Sequence, residues 1–123
     1  MTEQNQPKIL VTRKLTSAAE KRLRASYDIW WNQEDRQLSS EEIIDLSQDM
    51  DAILPCVSDN LGAPIIDRLP SSVKIISTFS VGYDHINVEA ASKRSIRVTN
   101  TPDVVTNATA DIALLLLLGA ARG

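Results

Sequence analysis

The residues best placed to do chemistry stand together at Ser80-Val81-Gly82-Tyr83-Asp84. They follow an apolar run at 74–78 and precede a helical pattern that opens at Asn87. A buried strand that stops at a glycine turn before a helix leaves backbone N–H groups at the carboxyl edge of a sheet. In open α/β sheets that edge is where ligands bind, and a run of turn amides makes a concavity for an anion. The chemistry that suits Ser80, Val81 and Gly82 is therefore the holding of a small carboxylate. Gly82 itself admits two readings. It is a turn glycine that needs positive φ, or it is a glycine that lets a ligand approach the amides.

Few other side chains compete. His85 is the only histidine, so any histidine-dependent step within the chain must use it. Its place at the start of a helix suits packing or capping as well as catalysis. Cys56 follows Pro55 in an apolar setting and reads as a core thiol. A single cysteine cannot form an internal disulfide, and a reducing cytoplasm is the expected compartment. Asp49 and Asp51 read as solvated loop acids, and no metal-ligand spacing is present. Neither G-x-G-x-x-G nor G-x-x-x-x-G-K-[ST] occurs. The glycines of Gly119-Ala120-Ala121-Arg122-Gly123 sit at a helix end, where they make no dinucleotide turn.

The elements that position the turn follow from the apolar pattern. Short apolar runs predict strands at 8–12, 27–31, 51–55, 74–78 and 96–98, the second nearer an edge. Helices are expected from Thr16 or Ser17 to about residue 25, from Ser39 or Ser40 to about 48, over 63–67, from Asn87 to about 93, and from Val105 or Thr106 onward. Glu20 would complete a capping box if Ser17 is the cap. Alternating strands and helices with short loops imply βαβ units, a parallel sheet and helices on both faces. Residues 1–7 read as a disordered lead-in.

The bulk properties close off other classes. With 123 residues the chain can bury a core of its own. A net charge of -3 without a basic block argues against a nucleic-acid surface. The longest apolar run, 112–118, is far short of the ~20 residues of a membrane helix, and the N-terminus is not a signal peptide.

The last helix does not suit a free-standing domain. At about 100° per residue, Leu114 to Leu118 already span the full circle, and Ile112, Ala113, Ala120 and Ala121 add to it. A helix that is apolar all round must be surrounded. The expectation is a second domain or a partner chain against it, or else a place for the helix within a three-layer sandwich.

The stretch 76–87, the segment 94–98, Asn100-Thr101-Pro102-Asp103-Val104-Val105-Thr106 and Ala108-Thr109-Ala110-Asp111 together resemble the D-isomer-specific 2-hydroxyacid dehydrogenases. Within that family they look most like the glyoxylate/hydroxypyruvate reductases. Ser80-Val81-Gly82 followed by Asp84 is one signature, and Asn-Thr-Pro…Thr…Ala-Asp is a second. The resemblance is specific over about 74–122, and residues 8–73 match in pattern only. It implies a two-domain, homodimeric enzyme that moves a hydride from NAD(P)H to the carbonyl of a small 2-oxo acid. It also implies a flavodoxin-like, discontinuous substrate domain, here residues 8–104, whose last part returns from the C-terminus of the full protein. Residues 105–123 would be the helix that crosses to the NAD or NADP domain. By resemblance, Ser80, Val81 and Gly82 hold the substrate carboxylate, and Thr106 lies beside the nicotinamide. The catalytic Arg, Glu and His would come from later segments, so His85 is not the acid/base histidine. On this reading the chain is the N-terminal part of such an enzyme, inactive alone. The rival reading is a non-catalytic binding or dimerisation module that uses the apolar C-terminal helix.

Overall fold

Five short apolar runs become strands: β1 (Lys8–Val11), β2 (Asp28–Trp31), β3 (Ala52–Leu54), β4 (Ile75–Ser77) and β5 (Arg97–Thr99). The computed structural model describes residues 5–122. All pairings are parallel, in the order β2-β1-β3-β4-β5. That is the flavodoxin-like arrangement, with β2 at an edge and the order reversing at β1, so the crevice outside the carboxyl ends of β1 and β3 is the expected ligand position. The helices α1 (Ser17–Ser26), α2 (Ser40–Leu46), α3 (Ala63–Ile66) and α4 (Val88–Lys93) connect the strands, and α5 (Thr106–Arg122) follows β5. Four strands and all five helices fall where the apolar pattern predicts them. β5 alone runs past its expected range, ending at Thr99, one residue beyond 96–98.

Register explains the core. Leu10 pairs with Trp30 and Ile53, Ile53 with Ile76, and Ile76 with Val98. Paired residues of a parallel sheet share a face, and this row meets Ile43 and Ile44 of α2, Ile66 of α3, and Ala90 and Ala91 of α4. The adjacent row, Ile9, Ala52 and Ile75, faces the other way. There α1 leaves a hollow of about 490 Å3 lined by Ile9, Leu23, Tyr27, Leu54, Ile75 and Ser77. Ile75 keeps 37% of its surface exposed. Parallel sheets are ordinarily covered on both faces, and here the second is half covered.

Local chemistry sets the helix starts. Thr16, and not Ser17, caps α1, and Glu20 instead accepts from the Leu15 N–H at 3.3 Å. Ser39 and Glu42 form a complete capping box on α2. Arg36 also reaches the Glu42 carboxylate. This ion pair, followed by the Ser39 N–H, pushes the Glu42 carboxyl down to about 2. A carboxylate whose folded pKa is depressed stabilises the fold above its unfolded value, and that contribution disappears as pH falls through the folded value. Between pH 4.5 and about 2, the unfolding midpoint of Glu42→Gln will therefore fall less steeply than that of the wild type in urea melts at stepped pH. Parallel curves would show that the pair contributes nothing.

Residues 5–7 of the expected lead-in carry no regular structure, although the Pro7 carbonyl accepts from the Asp28 N–H. Residues 1–4 of that lead-in, and Gly123 of the expected last helix, lie outside the described residues. α5 has no buried residue, and Leu114 to Leu118 are each 54–68% exposed. A place inside a three-layer sandwich is thus ruled out within this chain.

Candidate functional site

Polar residues cluster where the strands end. Thr12 follows β1, Asn32 follows β2, Asp59 lies in the loop after β3, and Thr78 follows β4; all four are buried. Burial of a polar group is costly unless it is hydrogen-bonded, and here the bonds tie loop to loop. The Asp59 carboxylate accepts from the Thr12 hydroxyl at 2.5 Å and from the Cys56 N–H at 2.8 Å. Its other oxygen finds no partner among the described residues. Asn32 donates to the carbonyls of Thr12 and Arg36. This edge is rigid scaffolding on which the next turn is mounted.

That turn is Ser80-Val81-Gly82, and its three carbonyls are all held. The Thr101 N–H donates to the Ser80 carbonyl at 2.9 Å. The Asn100 side-chain amide donates to the Val81 carbonyl at 2.8 Å. The Ser80 hydroxyl donates to the Gly82 carbonyl at 2.7 Å. No peptide bond among the described residues is cis. In a planar trans peptide the carbonyl and the following N–H point in opposite directions. Holding the Ser80 and Val81 carbonyls therefore aims the N–H groups of Val81 and Gly82 the other way. Neither amide, nor those of Ser80 and Tyr83 to His85, donates a hydrogen bond among the described residues. Gly82 is exposed.

The conformational reading of Gly82 is corrected here. Its φ lies outside the left-handed region, and a Cβ built on it would meet nothing within 4 Å. Neither backbone strain nor packing within this chain calls for glycine at 82. An added methyl there would enter open space.

The other candidates are structural. His85 caps nothing: its Nε2 lies 3.0 Å from the Thr78 hydroxyl, and its carbonyl accepts from the Leu61 N–H. Partial burial lowers the imidazole pKa, against the opposing pull of Asp59 and Asp84. Cys56 is half-buried, and burial, with the nearby Asp59 charge, raises its thiol pKa. It stays a thiol and not the thiolate a nucleophile needs. Asp51 accepts from the Lys8 N–H at 2.8 Å, and Asp49 adopts φ 62 in the turn before it. Among the described residues no group of three or more His, Cys, Asp or Glu side chains could hold a metal ion.

Thr106 stands at the exposed first position of α5 and makes no side-chain hydrogen bond among the described residues. A dinucleotide needs a glycine turn that lets its pyrophosphate approach the N-terminus of a helix. The glycine turn at 82 leads into α4, a helix of only 6 residues, and the sequence has no G-x-G-x-x-G. The residues present do not by themselves fit a nicotinamide dinucleotide.

The pattern of the chain pointed to Ser80, Val81 and Gly82, and the fold brings them into one turn. Thr12, Asp59 and Thr78 were not singled out from sequence, and Asn100 entered only as part of a family signature, with no role at the turn. The available signal was positional: each polar residue falls just after a strand's apolar run, at the edge where α/β sheets bind ligands.

Residues 9–115 match the family described as D-isomer specific 2-hydroxyacid dehydrogenase, catalytic domain. The chain is 44% identical over 115 residues to the glycerate dehydrogenase of Hyphomicrobium methylovorum, covering 94% of this chain and 36% of that one. A solved NAD-binding protein from Polaromonas sp. JS6 66, assigned to the same family, superposes with a TM-score of 0.82 at 37% identity, covering 93% of this chain and 36% of that one. The NADPH-dependent glyoxylate/hydroxypyruvate reductase of Sinorhizobium meliloti, solved with NADP and malonate, gives a TM-score of 0.73 at 33% identity, over 92% and 34%. The chain thus spans about a third of the length of the relatives it matches.

Proposed function

Because the chain belongs to the D-isomer specific 2-hydroxyacid dehydrogenase family, we propose that its 80–82 turn is the carboxylate-binding half of an active site for small 2-oxo and 2-hydroxy acids. Glyoxylate and hydroxypyruvate are the substrates that the similar enzymes suggest. The observation that carries this reading is the set of held carbonyls, with the Val81 and Gly82 amides unpartnered among the described residues in the loop that follows β4. Each N–H contact to a charged oxygen contributes about 1.5–3 kcal/mol, so two such contacts correspond to an affinity near millimolar.

Residues 8–104 are the substrate domain and 105–123 the helix that leads to an NAD- or NADP-binding domain, with Thr106 on the nicotinamide side. The apolar circumference of α5 supports this division, because such a surface calls for cover. A segment returning to the substrate domain would fill the hollow beside α1 and cover Ile75. On this reading the full-length enzyme, with its second domain, is the homodimer, and its compartment is the cytoplasm. No helix among the described residues is long and apolar enough to cross a membrane. The chain's own part in the reaction is to bind and orient the acid. The cofactor supplies the hydride when it is bound.

Titration of the 15N-labelled chain with glyoxylate tests the proposal. The Val81 and Gly82 amide resonances will shift together with a dissociation constant in the millimolar range. The same preparation will not oxidise NADH or NADPH in the presence of glyoxylate or hydroxypyruvate. Shifts confined to other parts of the surface would sink the carboxylate turn, and measurable turnover would show that catalytic groups lie within these residues. The rival reading, an assembly module built on α5, rests on that helix's exposure and predicts a stable dimer with no glyoxylate response at 80–82.

A further inference from the structure

The three hydroxyl and imidazole groups behind the turn form a hydrogen-bond chain whose direction can be worked out. The Ser80 hydroxyl lies 2.7 Å from the Gly82 carbonyl, which can only accept, so Ser80 must donate there. A serine hydroxyl has one proton. Its 2.7 Å contact with the Thr78 hydroxyl must therefore be one in which Thr78 donates. Thr78 also lies 3.4 Å from the Pro55 carbonyl, a longer contact to an oxygen that already accepts from the Phe79 N–H at 2.9 Å. With the Thr78 proton committed to Ser80, the His85 Nε2 at 3.0 Å has to be the donor.

We propose that His85 is a positioning residue for the carboxylate turn: its Nε2–H starts a one-way relay through Thr78 and Ser80 that holds the Gly82 carbonyl and thereby aims the Tyr83 amide. The proposal rests on the carboxylate reading of the turn for its functional meaning, and it adds Tyr83 N–H to the amides of Val81 and Gly82. Thr78 is 2% exposed, so water does not compete for the middle of the relay. Linked donors polarise one another, and the first donor fixes the sense of the whole chain. Nε2 carries a proton both in one neutral tautomer and in the imidazolium, so the relay keeps its direction in either charge state. Asp59 and Asp84 are the charged groups facing the ring.

Two measurements on the 123-residue chain test this. In long-range 1H–15N spectra at pH 8, neutral His85 will be a single tautomer with the proton on Nε2, and Thr78→Val will relax it to a mixture of tautomers. In glyoxylate titrations, His85→Phe will raise the dissociation constant about two- to tenfold, the effect of one net hydrogen bond, and will move the Tyr83 amide resonance. His85→Gln, whose side-chain NH2 can take the place of Nε2–H, will recover most of both. A proton on Nδ1 in the wild type overturns the relay, and needs no variant to fold. Equal behaviour of the Phe and Gln variants overturns it as well. If the wild-type turn ignores glyoxylate while the Tyr83 resonance still moves in Phe and recovers in Gln, the carboxylate reading fails and the relay stands.

Discussion

Gly82→Ala will leave the fold as stable as before, or more stable, and will weaken carboxylate binding. The backbone at 82 is compatible with alanine, and the added Cβ meets nothing within 4 Å. A Gly→Ala change at such a position typically stabilises by about 0.4–1 kcal/mol, because it restricts the unfolded chain. The same methyl stands, by covalent geometry, beside the Gly82 N–H and crowds a carboxylate bound there, so glyoxylate should bind about tenfold more weakly, about 1.4 kcal/mol. Gly82→Pro is the harsher companion. It removes one N–H and restricts Val81 to extended backbone. Loss of one donor to a charged oxygen, about 1.5–3 kcal/mol, is roughly a ten- to hundredfold loss, enough to put a millimolar ligand beyond saturation. Urea melts and glyoxylate titrations of both variants check this. An alanine variant that melts early would restore a structural reason for Gly82. A proline variant that binds glyoxylate normally would remove the amides from the site.

The second large effect concerns association. Replacing Leu115 and Leu118 with glutamate will abolish self-association of the chain without moving its unfolding midpoint. Both residues are more than half exposed, and α5 contributes no buried residue to the core. Surface substitutions that touch nothing usually stay within about 0.5 kcal/mol. Covering a leucine, in contrast, contributes about 1.5–3 kcal/mol, and five consecutive leucines form a patch that soluble monomers rarely expose. Light scattering of the wild type should report association that grows with concentration and reaches no fixed dimer, and the double variant should scatter as a monomer throughout. Wild-type scattering as a stable dimer would favour the assembly-module reading. A falling midpoint in the variant would mean that α5 packs on its own domain.

Much of the fold was legible because local rules and the tertiary outcome agree. The apolar runs at β1, β3 and β4 are too short for helices and are bounded by turn residues, so they could only be buried strands. Ser39 with Glu42, and Asn87 before α4, announce helix starts through donors that any helix leaves unpaired. The choice left open at the first helix was local too. Thr16 and Ser17 are chemically equivalent caps, and the fold chose Thr16, whose hydroxyl accepts from the Ala19 N–H.

The candidate site was legible in part. Ser80-Val81-Gly82 reads from sequence as a turn at a strand end, and the family signature names its ligand class. What the turn presents to a ligand depends on groups distant in the chain. Asn100 and Thr101, about 20 residues on, hold two of its carbonyls. Residue order says nothing about which of two opposite peptide faces is turned outward. That choice is made by partners that come near only once β4 and β5 pair.

The sequence by itself therefore determined the class of fold, the position of the turn and the need of α5 for cover. Each follows from periodicity or from residue type within a few positions. The tertiary structure alone decided that Gly82 is not there for its backbone, that the His85 ring meets the Thr78 hydroxyl, and that the Val81 and Gly82 amides point away from the 100–101 segment. These depend on hydrogen bonds between segments whose meeting is a property of the folded chain, and no local rule encodes it.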